Sequence, residues 1–208
     1  MGVAAIAVAL ALVAGTPPLE PPATPEEIVA YRDSGAWERD TTRVVRRARR
    51  ILRRHADDGR AALVLDVDDT ALSSYDCLKA AGFDRAREGG ACAWDAALPA
   101  IPQTLALYRL ARRRGVPVYF ITGRRERWRR PTLRNLRLQG YTGRRRLITR
   151  PDRERPGEHA GYKARARRDL QRRGHRIAVN LGDQRSDLRG GHARHAFKLP
   201  NPMYVIPA

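Results

Sequence analysis

Three apolar runs of this chain end in residues able to do chemistry. Asp66, Asp68, Asp69 and Thr70 stand at the end of residues 61–66 and directly beyond it; Thr122, Gly123 and Arg124 come after residues 116–121; Asp183 and Asp187 come after residues 176–181. Lys163 opens the helical stretch before the last of these runs, so it reaches the same edge. Carboxylates gathered in this number repel one another unless a divalent cation neutralises them. Oxygen donors without His or Cys suit a hard ion such as Mg²⁺. A cation, a lysine and a threonine hydroxyl around a carboxylate is the equipment of phosphoryl transfer, which asks for positioning and for neutralisation of the equatorial oxygens.

Such residues need elements to bring them together. Residues 61–66 (AALVLD), 116–121 (VPVYFI), 146–149 and 176–181 (RIAVNL) are continuous apolar runs of the kind buried on both faces of a parallel sheet. Between them residues 101–114, 127–139 and 163–173 carry helical apolar spacing, and Gly115, Gly140 and Gly174 come next as helix stops. The alternation predicts right-handed crossovers and a doubly wound α/β domain, whose ligands sit at the carboxyl ends of the strands. Residues 25–55 add a helical run in front of the first strand, with Ile28, Val29, Trp37, Val44, Val45, Ile51 and Leu52 as its apolar positions. No internal repeat is present.

Composition narrows the class. At 208 residues, with 42% hydrophobic and 30% charged residues, the chain suits one domain and excludes a repeat array or a wholly disordered protein. The net charge of +19 comes almost entirely from arginine, since only Lys79, Lys163 and Lys198 are lysines. Those arginines are spread over nearly every polar helical face, and aromatic residues make up only 6%. A solvated basic surface that attracts anions is therefore favoured over nucleic-acid binding, which needs clustered charge and stacking platforms.

Residues 1–15 read as a signal peptide: no charge falls between Gly2 and Gly15, and the run is too short to span a bilayer. A Pro-rich linker occupies residues 16–25, and the folded body is expected over residues 26–208. Export fits a disulfide between Cys77 and Cys92, worth about 3 kcal/mol through loop closure; two buried thiols are the alternative.

The motifs also carry a resemblance. Asp66-Val-Asp68-Asp69-Thr70, Thr122-Gly123-Arg124, Lys163 and Gly182-Asp183-Gln184-Arg185-Ser186-Asp187 resemble, in order, the four motifs of the haloacid dehalogenase-like (HAD) superfamily. Arg124 to Leu136, Tyr162-Lys163 with Arg167, Leu170 and Gly174, and the GDQxSD ending are similar to the secreted HAD acid phosphatases, including the plant acid phosphatase and vegetative storage protein group. Phe197 to Tyr204 (FKLPNPMY) resembles the C-terminus of bacterial members.

The resemblance implies a HAD-type Rossmann-like fold with a small cap insert at about residues 75–100, acting on exposed phosphomonoesters through an aspartyl-phosphate. Asp66 then matches the nucleophile. Asp68 matches the general acid that later activates water. Thr122 and Lys163 match the groups that hold the phosphoryl oxygens, with Gly123, Arg124, Tyr75 and Trp94 as substrate contacts. Asp66, Asp68, Asp183 and Asp187 match the Mg²⁺ site, Asp68 through its backbone carbonyl and Asp187 from the outer shell. Asp69 stands where plant members have Glu, and this chain keeps the nucleophile that some vegetative storage proteins have lost.

Other readings stay open at single positions. Asp69, Thr70 or Asp187 could cap helices, and Lys163 could face solvent. Arg129 and Asn135 are read as structural, and the five histidines as surface or loop residues. For the whole chain the alternatives are phosphotransfer to an alcohol at the same site, an idle storage protein, and a polyanion-binding module. No stable membrane span and no specific nucleic-acid partner are expected.

Overall fold

The computed structural model describes residues 18–84, 98–142, 146–154 and 159–206. The expected signal peptide, Cys92 and Trp94 lie outside the described residues. Five parallel strands form a single sheet in the order β3-β2-β1-β4-β5: β1 (Ala61–Leu65), β2 (Val118–Arg125), β3 (Arg146–Arg150), β4 (Arg176–Gly182) and β5 (His195–Lys198). The first three strands run outward from β1 in one direction, and the chain then returns to lay β4 on its other side. That reversal puts a topological switch point at the carboxyl ends of β1 and β4.

Alternation along the strands divides the core in two. Leu63, Leu65, Val118, Phe120, Val179 and Leu181 pack with Val45, Ala48, Leu52, Leu107, Tyr108, Ala111 and Leu136. These come from α2 (Ala36–His55), α4 (Pro102–Arg113) and α5 (Arg129–Leu138). Ala62, Val64, Tyr119, Ile121 and Ile177 point the other way, against Tyr162, Ala166 and Leu170 of α6 (His159–Arg172). The remaining described helices are α1 (Pro25–Asp33), α3 (Tyr75–Ala80) and α7 (Arg185–Leu188).

Four expectations are corrected. The helical run at residues 25–55 is two helices: Thr24 and Glu27 form a capping box before Pro25, and Gly35 breaks the run with φ +68°, a conformation that costs glycine little. Among the described residues the sheet has five strands rather than four. β5 escaped notice because it is a short edge strand whose residues are half-buried or exposed, without an apolar run; it takes His195 out of the loop class. β2 continues to Arg125, so Thr122, Gly123 and Arg124 lie within the strand, where the register with β3 shifts. Lys163 does not open its helix but sits in its second turn, beside the buried Tyr162 and one turn ahead of Ala166 and Arg167.

Candidate active site

Asp66 is the first residue after β1, and its backbone N–H still donates to Leu181 O of β4 at 3.0 Å. Asp183 is the first residue after β4, and Asp187 lies on α7 directly beyond. One carboxylate oxygen from each of these three buried residues falls within 4.8 Å of the others. Lys163, buried on α6, donates to Asp66 Oδ1 at 2.7 Å and also to Asp187 Oδ1. Four groups from distant parts of the chain thus meet at the switch point.

Glycine 182 makes the approach possible. A Cβ built there would stand 2.4 Å from Asp187 Cβ and 2.5 Å from its Oδ2, so any larger residue pushes Asp187 out of the cluster. Asp187 Oδ2 accepts from Gln184 N at 2.8 Å, so the carboxylate caps α7 and serves the cluster at once. Arg167 fixes the same turn from behind: its guanidinium donates to Asp187 O at 2.6 Å, to Gly191 O at 2.8 Å, and to Arg189 O.

The electrostatics stem from burial. Desolvation pushes the Asp66 carboxyl well above its usual range; Lys163 works against this, while Asp187 and Asp183 add to it. Asp183 is pushed up to about 7, first by desolvation and then by Asp187 and Asp69, against hydrogen bonds from Asn201 and Gln184. Burial pulls the Lys163 ammonium down, but Asp187 and Asp66 more than offset it, and the group is raised. Three carboxylates and one ammonium leave two negative charges among oxygen donors removed from water. That donor set fits a hard divalent cation.

Asp68 is held elsewhere. Its carboxylate accepts from Arg124 Nε at 3.1 Å to each oxygen and from Arg124 Nη2 at 2.7 Å. Arg124 is buried and anchored in turn by Thr132 Oγ1 at 3.1 Å. The Asp68 side chain therefore stands beside the acidic trio of Asp66, Asp183 and Asp187 and not in it. Thr122 Oγ1, fully buried, accepts from Arg124 N at 3.1 Å, and Gly123 O accepts from Arg150 Nε at 3.2 Å. Asp69 takes a left-handed backbone (φ 50°), and its buried carboxylate accepts from Ser74 N at 2.9 Å, Ser74 Oγ at 2.6 Å and the Tyr204 hydroxyl at 2.6 Å. Thr70 caps no described helix; its hydroxyl donates to Asp183 Oδ1 at 3.0 Å.

Comparison with known proteins decides the lineage. Residues 16–207 match the family described as HAD superfamily, subfamily IIIB (Acid phosphatase). The chain belongs to this family. It is 35% identical to acid phosphatase 1 of Solanum lycopersicum over 72% of this chain and 61% of that protein. It is 33% identical to vegetative storage protein 2 of Arabidopsis thaliana over 70% of this chain and 56% of that one. The chain thus spans about three fifths of the length of these relatives. The class C acid phosphatase from Bacillus anthracis shares the fold, with a TM-score of 0.70 at 20% identity over 87% of this chain and 86% of that one.

Within this HAD-family chain, several residues near the trio carried no role in the sequence reading. Asn201 and Gln184 each donate to Asp183 Oδ2 at 2.7 Å, and Tyr204 reaches Asp69. Asn201 and Tyr204 belong to the stretch from Phe197 to Tyr204, and Gln184 to the stretch from Gly182 to Asp187, both marked by the resemblance without a chemical role for these three residues. Arg32 stacks over the Tyr75 ring at 4.6 Å and over Trp37 at 3.5 Å, beside a pocket of about 250 Å³ that Ser73, Pro99 and Ile101 also line. Arg129 donates to Leu147 O at 2.7 Å, and Asn135 ties α5 to Leu98 through the backbone N and O of Leu98, so both reach outside the helix that carries them. No described helix is long and apolar enough to cross a membrane.

Proposed function

We propose that this chain is an exported, Mg²⁺-dependent phosphomonoesterase that works through an aspartyl-phosphate at Asp66. The observation that carries the reading is the shared ammonium: Lys163 bridges Asp66 and Asp187 in a buried cluster whose three carboxylates and one ammonium carry a formal charge of −2. With a divalent cation such a centre would be formally neutral, and the cation and the ammonium together would suit a phosphoryl group, which brings its own negative oxygens and needs them neutralised.

Asp66 Oδ1 is occupied by Lys163, and among the described residues Oδ2 accepts no hydrogen bond. Oδ2 is therefore the attacking atom. It forms an O–P bond while the P–O bond to the leaving alcohol breaks, and the departing oxygen takes a proton from Asp68. In the second half Asp68 accepts a proton from water, the water oxygen attacks phosphorus, and the P–Oδ2 bond breaks to restore Asp66. Arg124 orients Asp68 for both transfers. Two of the three Lys163 donors go to carboxylates, which leaves the third for a phosphoryl oxygen, beside the Thr122 hydroxyl. Mg²⁺ held by Asp66, Asp183 and Asp187 would supply neutralisation of the transferring group.

Export is supported by the uncharged stretch from Gly2 to Gly15 and by Cys77, which is disulfide-bonded. The deciding experiment is hydrolysis of para-nitrophenyl phosphate and nucleoside monophosphates by metal-stripped protein with and without added Mg²⁺. Activity only with the cation is expected; full turnover in a sample shown to be metal-free would refute the reading.

The pH dependence of metal binding has a definite sign. An Asp183 carboxyl pushed up to about 7 holds a proton in the metal-free fold that the unfolded chain has already released. The stability this proton brings is lost as pH rises through 7, and above it the carboxylate is ionised and able to bind a cation. The Mg²⁺-induced rise in melting temperature is therefore expected to be larger at about pH 8 than at about pH 5.5. Calorimetric scans at both values check this, and an equal or reversed difference would contradict it.

A further inference from the structure

The C-terminal residues 199–206 run back over the site instead of leaving it. Leu199 N donates to Gly182 O at 2.8 Å, and Pro200 O accepts from Trp37 Nε1 at 3.0 Å, which pins the segment to both β4 and α2. Between these anchors and Tyr204 the buried Asn201 turns inward. Its amide donates to Asp183 Oδ2 at 2.7 Å, while its own carbonyl oxygen accepts from Met203 N at 2.9 Å. The orientation of the amide is thus set by the backbone of the segment that carries it.

A count of lone pairs on Asp183 gives this contact a consequence. Each carboxylate oxygen offers two acceptor sites. Oδ2 accepts from Asn201 and from Gln184 Nε2, both at 2.7 Å, and is full. Oδ1 accepts from Thr70 Oγ1 at 3.0 Å and keeps one site open. Asp183 can therefore offer a cation a single oxygen. Ca²⁺ takes six to eight oxygens and readily uses both of a carboxylate, whereas Mg²⁺ demands octahedral geometry with one oxygen per ligand.

We propose that Asn201 is a positioning residue that determines ion selectivity: by filling Asp183 Oδ2 it holds this ligand monodentate and so favours Mg²⁺ over Ca²⁺. The inference rests on the cation reading given under Proposed function. It assigns a purpose to the FKLPNPMY stretch: the segment is a working part of the metal centre, although its nearest metal-facing atom lies behind the ligand.

The test uses the metal-stripped full chain and isothermal titration with MgCl₂ and CaCl₂ separately. Asn201→Ala is expected to weaken Mg²⁺ binding about tenfold or more, as loss of an outer-shell partner does, and to leave Ca²⁺ binding much less affected, so that the preference for Mg²⁺ falls. Tyr204→Phe, on the same segment but bonded to Asp69, is expected to keep the wild-type preference. If Asn201→Ala does not fold, Gln184→Met removes the other donor from the same oxygen and takes its place. An unchanged preference in a variant that still binds Mg²⁺ overturns this proposal alone. An equal change in Tyr204→Phe also overturns it, since the effect would then belong to packing of the segment. Wild-type protein that binds neither ion overturns the cation reading and this proposal together.

Discussion

Asp66→Asn is expected to abolish hydrolysis, by about 10⁴-fold or more, while the protein folds as well as before. The amide is nearly isosteric with the carboxylate but lacks the nucleophilic oxygen that must bond phosphorus. Stability should not suffer, because burial already penalises the Asp66 charge, and Asp187 remains to pair with Lys163. Metal-free Asp66→Asn is accordingly expected to melt at or above the temperature of the metal-free wild type. Steady-state rates with para-nitrophenyl phosphate, acid-quench trapping of phosphoenzyme, and a thermal melt measure all of this. Turnover within tenfold of wild type would sink the covalent mechanism, and a large drop in melting temperature would show that the carboxylate is structural.

Lys163→Met should have the broadest effect of any single change, because it touches both chemistry and folding. The methionine follows the path of the lysine stem but leaves Asp66 and Asp187 buried without their shared cation. Removing one partner from a buried ion pair costs about 3–5 kcal/mol. In a chain of this size that lowers the melting temperature by roughly 10 °C. The loss is expected to be greatest above neutral pH, where the raised Asp183 carboxyl has ionised, and to shrink on acidification as Asp66 and Asp183, both raised by burial, hold their protons. Added Mg²⁺ should recover part of the stability, since a cation replaces the missing charge. Activity should fall by about 10²–10³-fold even at saturating metal, because the donor for a phosphoryl oxygen is gone. Lys163→Arg should not rescue it: a planar fork cannot replace a compact ammonium aimed at two carboxylates. A metal-free melt like that of wild type would mean that Lys163 does not neutralise the trio.

Both predictions concern residues that the sequence alone pointed to, for a physical reason. A strand buried on both faces is apolar over most of its length, so a cluster of polar residues at its carboxyl end marks the sheet's edge. In a parallel sheet all such edges lie on one side. Asp66 after Ala61–Leu65, Thr122 within VYFITGRR, and Asp183 after RIAVNLG announce themselves this way, and their order in the chain sufficed for the family resemblance. Periodicity also placed the three crossover helices to within a few residues at most of their ends.

Tertiary structure alone decided the rest, because those features depend on partners far apart in the chain. Nothing in the sequence says what holds the Asp68 carboxylate; Arg124, 56 residues on, bonds both of its oxygens. Lys163 counts as a helix start by pattern, yet its reach to Asp66 and Asp187 depends on how α6 lies across the sheet. β5 is too short and too polar to show in a pattern, since a half-covered edge strand needs no apolar run. Asn201 and Tyr204 are polar residues in a stretch without periodicity. Only the return of that stretch over β4 aims their donors at Asp183 and Asp69, because a hydrogen bond is a matter of angstroms and angles, which spacing along a chain does not encode.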